Sequence, residues 1–95
     1  MIFLIKVFTL LNCKDCLRHL QTLKDYCNRT PAKLEIIDVD REENLPLIFK
    51  HKIEKIPHTI CYDIRGNILH SIAGVKTHEQ FDNIVYYGID DEEEN

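Results

Sequence analysis

Apolar residues along this chain recur with the periods of strands and helices. A largely apolar run at residues 2–9 predicts a strand in the middle of its sheet, because a strand that is apolar on both faces must be covered on both. Three shorter runs predict further strands, and three segments with helical spacing predict helices. The predicted strands are 2–9, 33–39, 58–63 and 67–73, and the predicted helices are 13–28, 44–51 and one that follows Thr77.

The first helix has one apolar face, whose residues recur every three or four positions, as in a helix that lies on a sheet. They are Cys16, Leu20, Leu23 and Cys27, with Leu17 at the margin. We expect Asn12 to cap this helix, since an Asn side chain accepts hydrogen bonds from the N–H groups of a first turn.

Turn and capping residues mark the ends of the other elements. Asn44 is placed to cap the second helix, and Pro46 suits its first turn, where no backbone donor is needed. Gly66 predicts a hairpin between the last two strands because glycine adopts positive φ freely. Thr77 and Gln80 have the spacing of a capping box. The last helix then shows a single apolar stripe formed by Phe81, Ile84 and Val85.

The order β-α-β-α-β-β-α predicts an α/β domain with a four-stranded mixed sheet and helices on both faces. The first two strands are joined through a helix, so they should be parallel with a right-handed crossover. The last two should form an antiparallel hairpin. We expect one domain over residues 1–88 and an acidic, disordered tail over residues 89–95.

Charge and composition exclude several classes of protein. The net charge is −4, but residues 90–94 are all acidic, and the rest of the chain carries +1, so we expect no nucleic-acid partner. No apolar run reaches the roughly 18–20 residues of a membrane span, so we expect no membrane partner either. Four cysteines are too few for a secreted disulfide scaffold, and the first residues lack the basic segment of a signal peptide. We therefore expect a cytoplasmic protein. We also expect it to be a monomer.

The sequence Cys13-Lys14-Asp15-Cys16 lies where a strand ends and a helix begins. A helix N-terminus has unpaired N–H donors and a partial positive charge, which stabilise a thiolate. The pKa of Cys13 should therefore fall from about 8.5 toward or below 7. Lys14 and Arg18 should add positive potential, which Asp15 partly opposes. Cys16 should point toward the apolar face and be less exposed.

The two cysteines are placed to open and close a disulfide. Cβ atoms three residues apart on a helix are about 5–6 Å apart, and a disulfide needs about 3.8 Å, so a slight adjustment suffices. A cytosolic CxxC beside a βαβ pattern is typical of a redox motif, in which Cys13 attacks a substrate disulfide and Cys16 resolves the mixed disulfide. Two packed or capping thiols are the alternative. Cys27 lies about 16 Å farther along the helix and cannot bridge to the pair. We expect Cys27 and Cys61 to be buried, with a regulatory thiol as the alternative for Cys61.

Over residues 2–87 the chain resembles the thioredoxin and glutaredoxin family, and most closely its small, glutaredoxin-sized thioredoxins. The matching stretches are residues 8–16 with the CxxC, 37–40 with Ile-Asp-Val-Asp, 53–57 ending in Ile-Pro, and 66–74. The resemblance implies a thioredoxin-like fold. It also implies a thiol-disulfide oxidoreductase that reduces protein disulfides, with a reductase or glutathione as electron donor. The redox-active Cys13–Cys16 disulfide would take the place of a cofactor, and no metal would be needed.

The resemblance also implies a substrate-binding rim. Pro57 would be a cis proline facing the cysteine pair, and the backbone of Ile56 would pair with a substrate peptide as a short added strand. Gly74 matches a family glycine near the same rim. His58 follows the proline and, with Lys14 and Asp15, is a candidate for tuning Cys13.

The chain departs from the family pattern at several positions. The family tryptophan is replaced by Asn12, and the Gly-Pro between the cysteines by Lys14 and Asp15. The buried carboxylate of thioredoxins falls at Val7, so proton transfer to Cys16 must involve water or another group. The glutathione site of glutaredoxins is incomplete, with lysine at position 55 and alanine at position 73, which favours protein disulfides as substrates.

Three other functions are alternatives. A zinc site could use the CxxC with His58 and Cys61, but residues three apart on a strand face opposite sides of the sheet. An iron–sulfur cluster shared across a dimer, with Cys13 as ligand, follows from the glutaredoxin resemblance alone. A redox-inactive thioredoxin-like binding module is the third.

Overall fold

The computed structural model describes residues 1–89 of the chain, and its elements follow in the predicted order. Each strand and helix begins within two residues of its predicted start, and a short 3₁₀ turn precedes the second helix. The elements are β1 Leu4–Thr9, α1 Lys14–Arg29, β2 Lys33–Asp38, the 3₁₀ turn Glu42–Asn44, α2 Leu45–Lys50, β3 His58–Tyr62, β4 Ile68–Ala73 and α3 His78–Tyr87. From residue 90 onward, the predicted tail lies outside the described residues and stays a prediction.

The four strands form one mixed sheet in the order β2-β1-β3-β4. β1 runs parallel to β2 and antiparallel to β3, and β3 is antiparallel to β4. The central position of β1 and the mixed α/β architecture are therefore confirmed. Because β3 is antiparallel to β1, the residues that follow β1 and those that precede β3 lie at the same edge of the sheet.

The two faces of the sheet bury different sets of side chains, as the period of two along a strand requires. Helices α1 and α3 cover one face, whose core includes Ile5, Val7, Leu23, Cys61 and Phe81. The second face carries Phe8, Ile37 and Ile60, against which Leu47 and Ile48 of α2 pack. The expectation of helices on both faces is confirmed.

The caps of α1 and α2 differ from the prediction. Cys13, not Asn12, is the N-cap of α1, with an extended backbone at φ −107° and ψ 125°, and its side chain accepts a hydrogen bond from the Cys16 N–H. The sulfur thus does what was expected of the Asn12 amide. Asn44 holds the N-cap position of α2 but makes no capping bond. Its Nδ2 instead donates to the Asp38 carbonyl at 2.8 Å, which ties α2 to the end of β2.

The other predicted turn and capping residues are confirmed. Gly66 adopts φ 86° in the hairpin. Thr77 and Gln80 form a complete capping box at the start of α3. Pro46 lies in the first turn of α2.

The buried face of α1 is more polar than its pattern indicates. Cys16, Leu20 and Leu23 are buried as predicted. Cys27 is only partly buried, contrary to the expectation, and Leu17 is about half exposed. His19 is completely buried on this face although its side chain is polar. Burial of a polar ring requires hydrogen-bond partners, and His19 has two, the Thr59 hydroxyl and the Lys76 N–H.

Among residues 1–89, none of the helices combines the length and apolar character that a membrane crossing requires.

Candidate active site

The cysteine motif lies at the edge of the sheet where β1 ends and α1 begins. Cys13 precedes the first residue of α1, and its carbonyl already accepts the first helical hydrogen bond, from the Leu17 N–H at 2.9 Å. Its thiol is therefore held beside the N–H groups that a helix N-terminus leaves unpaired. The Cys13 thiol is partly exposed, and none of the four cysteines is in a disulfide.

The pKa of Cys13 is lowered, in the direction predicted. The main cause is the hydrogen bond that the Cys16 backbone N–H donates to the Cys13 sulfur at 3.4 Å, and the neighbouring Cys16 side chain lowers the pKa further. Desolvation of the thiol raises the pKa of Cys13. The Asp15 N–H lowers it again, and the negative charge of the Asp15 carboxylate raises it. Short-range donors at the helix N-terminus thus outweigh the neighbouring charge.

The basic residues Lys14 and Arg18 do not lower the pKa of Cys13, contrary to our expectation. The Arg18 guanidinium forms an ion pair with Asp15 at 2.9 Å, and both side chains are largely exposed. Neither Lys14 nor Arg18 is among the causes of the lowered Cys13 pKa. Exposed charges are screened by water, so their influence on a neighbouring thiol is weak.

Cys16 lies one turn beyond Cys13 and is almost fully buried, with 1% of its surface exposed. The exposed and buried sulfurs are therefore arranged as predicted. This difference gives the two cysteines different access to a large partner, because only Cys13 is reachable from solvent.

The segment before β3 lies at the same sheet edge as the cysteines. His58 is the register partner of Phe8, so Pro57 sits near the end of β1, which Cys13 follows. The Ile56–Pro57 peptide bond is cis, as the resemblance implied, and Pro57 is fully buried. Gly74 donates its N–H to the Pro57 carbonyl at 2.8 Å and adopts φ 93°, which suits glycine. Pro57 and Gly74 are therefore neighbours at this edge of the sheet, and together they form part of the predicted rim.

The backbone N–H and C=O groups of Ile56 also belong to this rim. Its side chain is half-buried, and within residues 1–89 neither its N–H nor its C=O takes part in a hydrogen bond. Such groups are available to an extended peptide that approaches from solvent.

His58 points away from α1. Its ring is hydrogen-bonded to Ser71 Oγ at 2.8 Å, and burial, together with the nearby His51, lowers its pKa. Its cross-strand partner Phe8 faces α2, so the His58 ring lies on that face too. His58 is not among the causes of the lowered Cys13 pKa.

The zinc ligands considered from the sequence are not assembled. Cys61 packs into the core under α1 and α3, on the face opposite to His58. Across the described part of the chain, no three His, Cys, Asp or Glu side chains are grouped as metal ligands would be.

A buried polar cluster lies close to Cys16 on the inner face of α1, and the sequence pattern did not predict it. The His19 ring contacts Thr59 Oγ1 through Nε2 at 2.6 Å, and its Nδ1 accepts a hydrogen bond from the Lys76 N–H at 3.0 Å. Burial lowers the pKa of His19 to about 4. The only sequence signal was the position of His19 between Cys16 and Leu20 on the apolar face of α1.

Comparisons with known proteins identify the fold. No protein-family model matches the sequence, and no curated protein sequence matches it either. Among solved structures, a thioredoxin pre-protein from Schistosoma mansoni superposes with a TM-score of 0.73 at 18% identity, covering 93% of this chain and 80% of the other. A thioredoxin-like protein from Clostridium perfringens gives 0.73 at 19% identity, covering 86% and 67%.

A third similar structure is thioredoxin from Plasmodium falciparum, with a TM-score of 0.70 at 22% identity, covering 88% of this chain and 70% of the other. The chain therefore has a thioredoxin-like fold, and the resemblance noted in the sequence is confirmed at the level of the fold. At these identities the comparisons establish the fold alone.

Proposed function

We propose that this protein is a thiol-disulfide oxidoreductase that reduces protein disulfides by dithiol exchange through Cys13 and Cys16. The observation that carries the proposal is the hydrogen bond from the Cys16 N–H to the Cys13 sulfur at the start of α1. The nucleophile in disulfide exchange is the thiolate, and this bond, with the other N–H donors of the first turn, favours the thiolate of Cys13.

The reaction proceeds in two exchanges. The Cys13 thiolate attacks one sulfur of the substrate disulfide, a Cys13–substrate bond forms, and the other substrate sulfur leaves as a thiolate. Cys16 then loses its proton and attacks Cys13, which releases the second substrate sulfur and leaves a Cys13–Cys16 disulfide. The substrate gains two electrons and two protons, and the protein loses them.

The rim formed by Ile56, Pro57 and Gly74 is the proposed substrate-binding surface. An extended peptide beside Cys13 can pair with the free N–H and C=O of Ile56 as one more strand. Backbone pairing of this kind accepts many sequences, which suits an enzyme that acts on protein disulfides. Gly74 adopts φ 93°, a backbone conformation that residues with a side chain rarely adopt, so glycine suits this position of the rim.

The remaining cysteines do not compete in this chemistry. Burial raises the pKa of Cys61 to about 12 and also raises the pKa of Cys27. Thiols with raised pKa values form little thiolate at neutral pH and react slowly. The division between one acidic thiol and two inert ones supports the assignment of Cys13 as the nucleophile.

Turnover needs an electron donor that returns the disulfide to the dithiol. We propose a reductase or glutathione for this role, in a reducing compartment such as the cytoplasm.

The proposal is tested by reduction of insulin with dithiothreitol as the electron source. We expect the wild-type protein to accelerate the reaction, and Cys13→Ser and Cys16→Ser to lose the acceleration. Cys27→Ser is the matched control and should keep it. An active Cys13→Ser variant, or an inactive wild type with both thiols reduced, would refute the proposal.

A further inference from the structure

His19 joins three parts of the molecule at one buried point. It belongs to α1, its Nε2 contacts Thr59 Oγ1 in β3 at 2.6 Å, and its Nδ1 accepts from the Lys76 N–H in the connection between β4 and α3 at 3.0 Å. His19 and Thr59 have no exposed surface, and Lys76 is 1% exposed. A hydrogen-bonded side chain buried this completely has one arrangement, so it fixes the relative positions of the three segments.

The hydrogen bonds also assign the protonation of the ring. A backbone N–H can only donate, so Nδ1 of His19 carries the lone pair. In a neutral imidazole the other nitrogen then carries the hydrogen, and Nε2 donates to the Thr59 hydroxyl. Burial keeps the ring neutral, since it lowers the pKa of His19 to about 4. Neither nitrogen is left to take a proton, so His19 is not a base for Cys16.

The three segments joined by His19 are those that carry the proposed site. Cys16 is three residues before His19 on the same buried face of α1, so the two side chains are neighbours. Thr59 is two residues beyond Pro57, on the strand that follows the rim. Gly74, which donates to the Pro57 carbonyl, is two residues before Lys76. The His19 bonds therefore couple the turn with the resolving cysteine to both sides of the substrate rim.

We propose that His19, through its hydrogen bond to Thr59, is a positioning residue for the second exchange, in which Cys16 displaces the substrate. The inference rests on the proposed function. In that step the Cys16 thiolate attacks Cys13, the new disulfide forms, and the substrate sulfur leaves as a thiolate that takes a proton from water. The three sulfurs must lie in line, and small displacements of reacting atoms slow such steps strongly. Helix α1 holds two of the sulfurs and the rim holds the third, so the contact between α1 and β3 sets the alignment.

The first exchange should depend much less on this contact. Cys13 is partly exposed and its acidity comes from N–H groups within the first turn of α1, which His19 does not touch. A structural defect that merely loosened the whole protein would slow both exchanges. The proposal therefore predicts a change in the second exchange alone.

A labelled peptide separates the two exchanges. The probe is a fluorescent peptide whose single cysteine carries a thionitrobenzoate disulfide. Attack by Cys13 releases coloured thionitrobenzoate, the better leaving group, and the later attack by Cys16 releases the peptide, which lowers the fluorescence anisotropy. Absorbance and anisotropy in one stopped-flow experiment then report the two rates separately.

Thr59→Val removes the hydroxyl at nearly constant shape. We expect it to slow peptide release about tenfold or more while thionitrobenzoate release stays at the wild-type rate. Thr59→Ser keeps the hydroxyl and should restore rapid release. Thr22→Val is the matched control, because it removes a buried threonine bond from α1 to the Lys76 carbonyl at 3.2 Å without touching β3. It should release the peptide at the wild-type rate.

A second pair of variants covers the case in which Thr59→Val does not fold. His19→Asn keeps an acceptor near the position of Nδ1 but loses the donor to Thr59, so it should release the peptide slowly. His19→Gln keeps an N–H near the position of Nε2 and should release it faster than His19→Asn. Far-ultraviolet circular dichroism identifies the folded variants.

Other results would overturn the inference. These are unchanged peptide release in Thr59→Val and His19→Asn, equal slowing of both exchanges, or slowing by Thr22→Val as large as by Thr59→Val. If Cys16→Ser releases the peptide as fast as the wild type, the proposed function itself fails and the inference falls with it.

Discussion

The backbone N–H of Cys16 donates a hydrogen bond to the sulfur of Cys13 across 3.4 Å. The second cysteine of the motif thus helps to make the first one acidic before the two ever form a disulfide. The interaction requires Cys13 to occupy the N-cap of α1, where a side-chain acceptor meets the N–H three residues later. The chemistry proposed for the protein begins with this capping bond.

Cys13 should be the first cysteine to react with iodoacetamide. Its pKa is lowered by N–H donors, whereas burial raises the pKa values of Cys27 and Cys61. We expect the labelling rate of Cys13 to reach half its maximum at a lower pH than that of an ordinary cysteine. Mass spectrometry of digested protein, labelled briefly across a series of pH values, measures this. Earlier labelling of Cys27 or Cys61 near neutral pH would show that the roles are wrongly assigned.

Asp15→Asn should lower the pKa of Cys13 further. Within residues 1–89, the Asp15 carboxylate is the charge that raises this pKa, so its removal favours the thiolate. The pH dependence of thiolate absorbance at 240 nm, about where thiolates absorb more strongly than thiols, follows the change. Lys14→Gln is the control, and we expect it to leave the pKa of Cys13 where it is. A larger effect from Lys14→Gln than from Asp15→Asn would contradict the ranking of causes.

Stability should fall as the pH is lowered from 6.5 to 4. The pKa of His19 is about 4 in the folded protein against 6.5 for an ordinary histidine. Between these values the unfolded chain binds more protons, so the free energy of unfolding decreases with decreasing pH. The loss due to this group approaches about 3 kcal/mol at pH 4, at 1.36 kcal/mol per pKa unit. The positive charge of Lys76 also lowers the pKa of His19.

Urea denaturation of the wild type and of His19→Gln, at several pH values, isolates this contribution. The variant has no group to titrate at position 19, so its stability should depend less steeply on pH. Parallel curves for the two proteins between pH 6.5 and 4 would mean that His19 is not the group responsible.

Thr77→Ala should cost about 1 kcal/mol of stability, the usual value for loss of an N-cap. The Thr77 hydroxyl accepts from the Gln80 N–H at 3.1 Å, and Gln80 Oε1 accepts from the Thr77 N–H at 3.0 Å. Thr77→Ser keeps the hydroxyl and serves as the control. Chemical denaturation midpoints compare the three proteins, and equal midpoints for Thr77→Ala and wild type would show that the box contributes nothing.

Much of the candidate site could be predicted because its chemistry is local. The Cys13–Cys16 spacing, the strand before it and the helix after it lie within a few residues of one another. A helix N-terminus acidifies a thiol through N–H groups of its own first turn, so no distant residue is needed. The contributions of Lys14 and Arg18 were overestimated because spacing does not tell how far solvent screens a charge.

The sequence alone determined the order and type of the elements, the hairpin at Gly66 and the capping box of α3, since each depends on residues at most four positions apart. The face to which His58 points and the contacts of His19 depend on how distant segments pack together. Thr59 and Lys76 are 40 and 57 residues from His19. Such contacts depend on how β3 aligns with β1 and where α1 crosses the sheet. Local periodicity predicts that a side chain is buried. Which side chain it contacts depends on the register of strands that are far apart in the sequence.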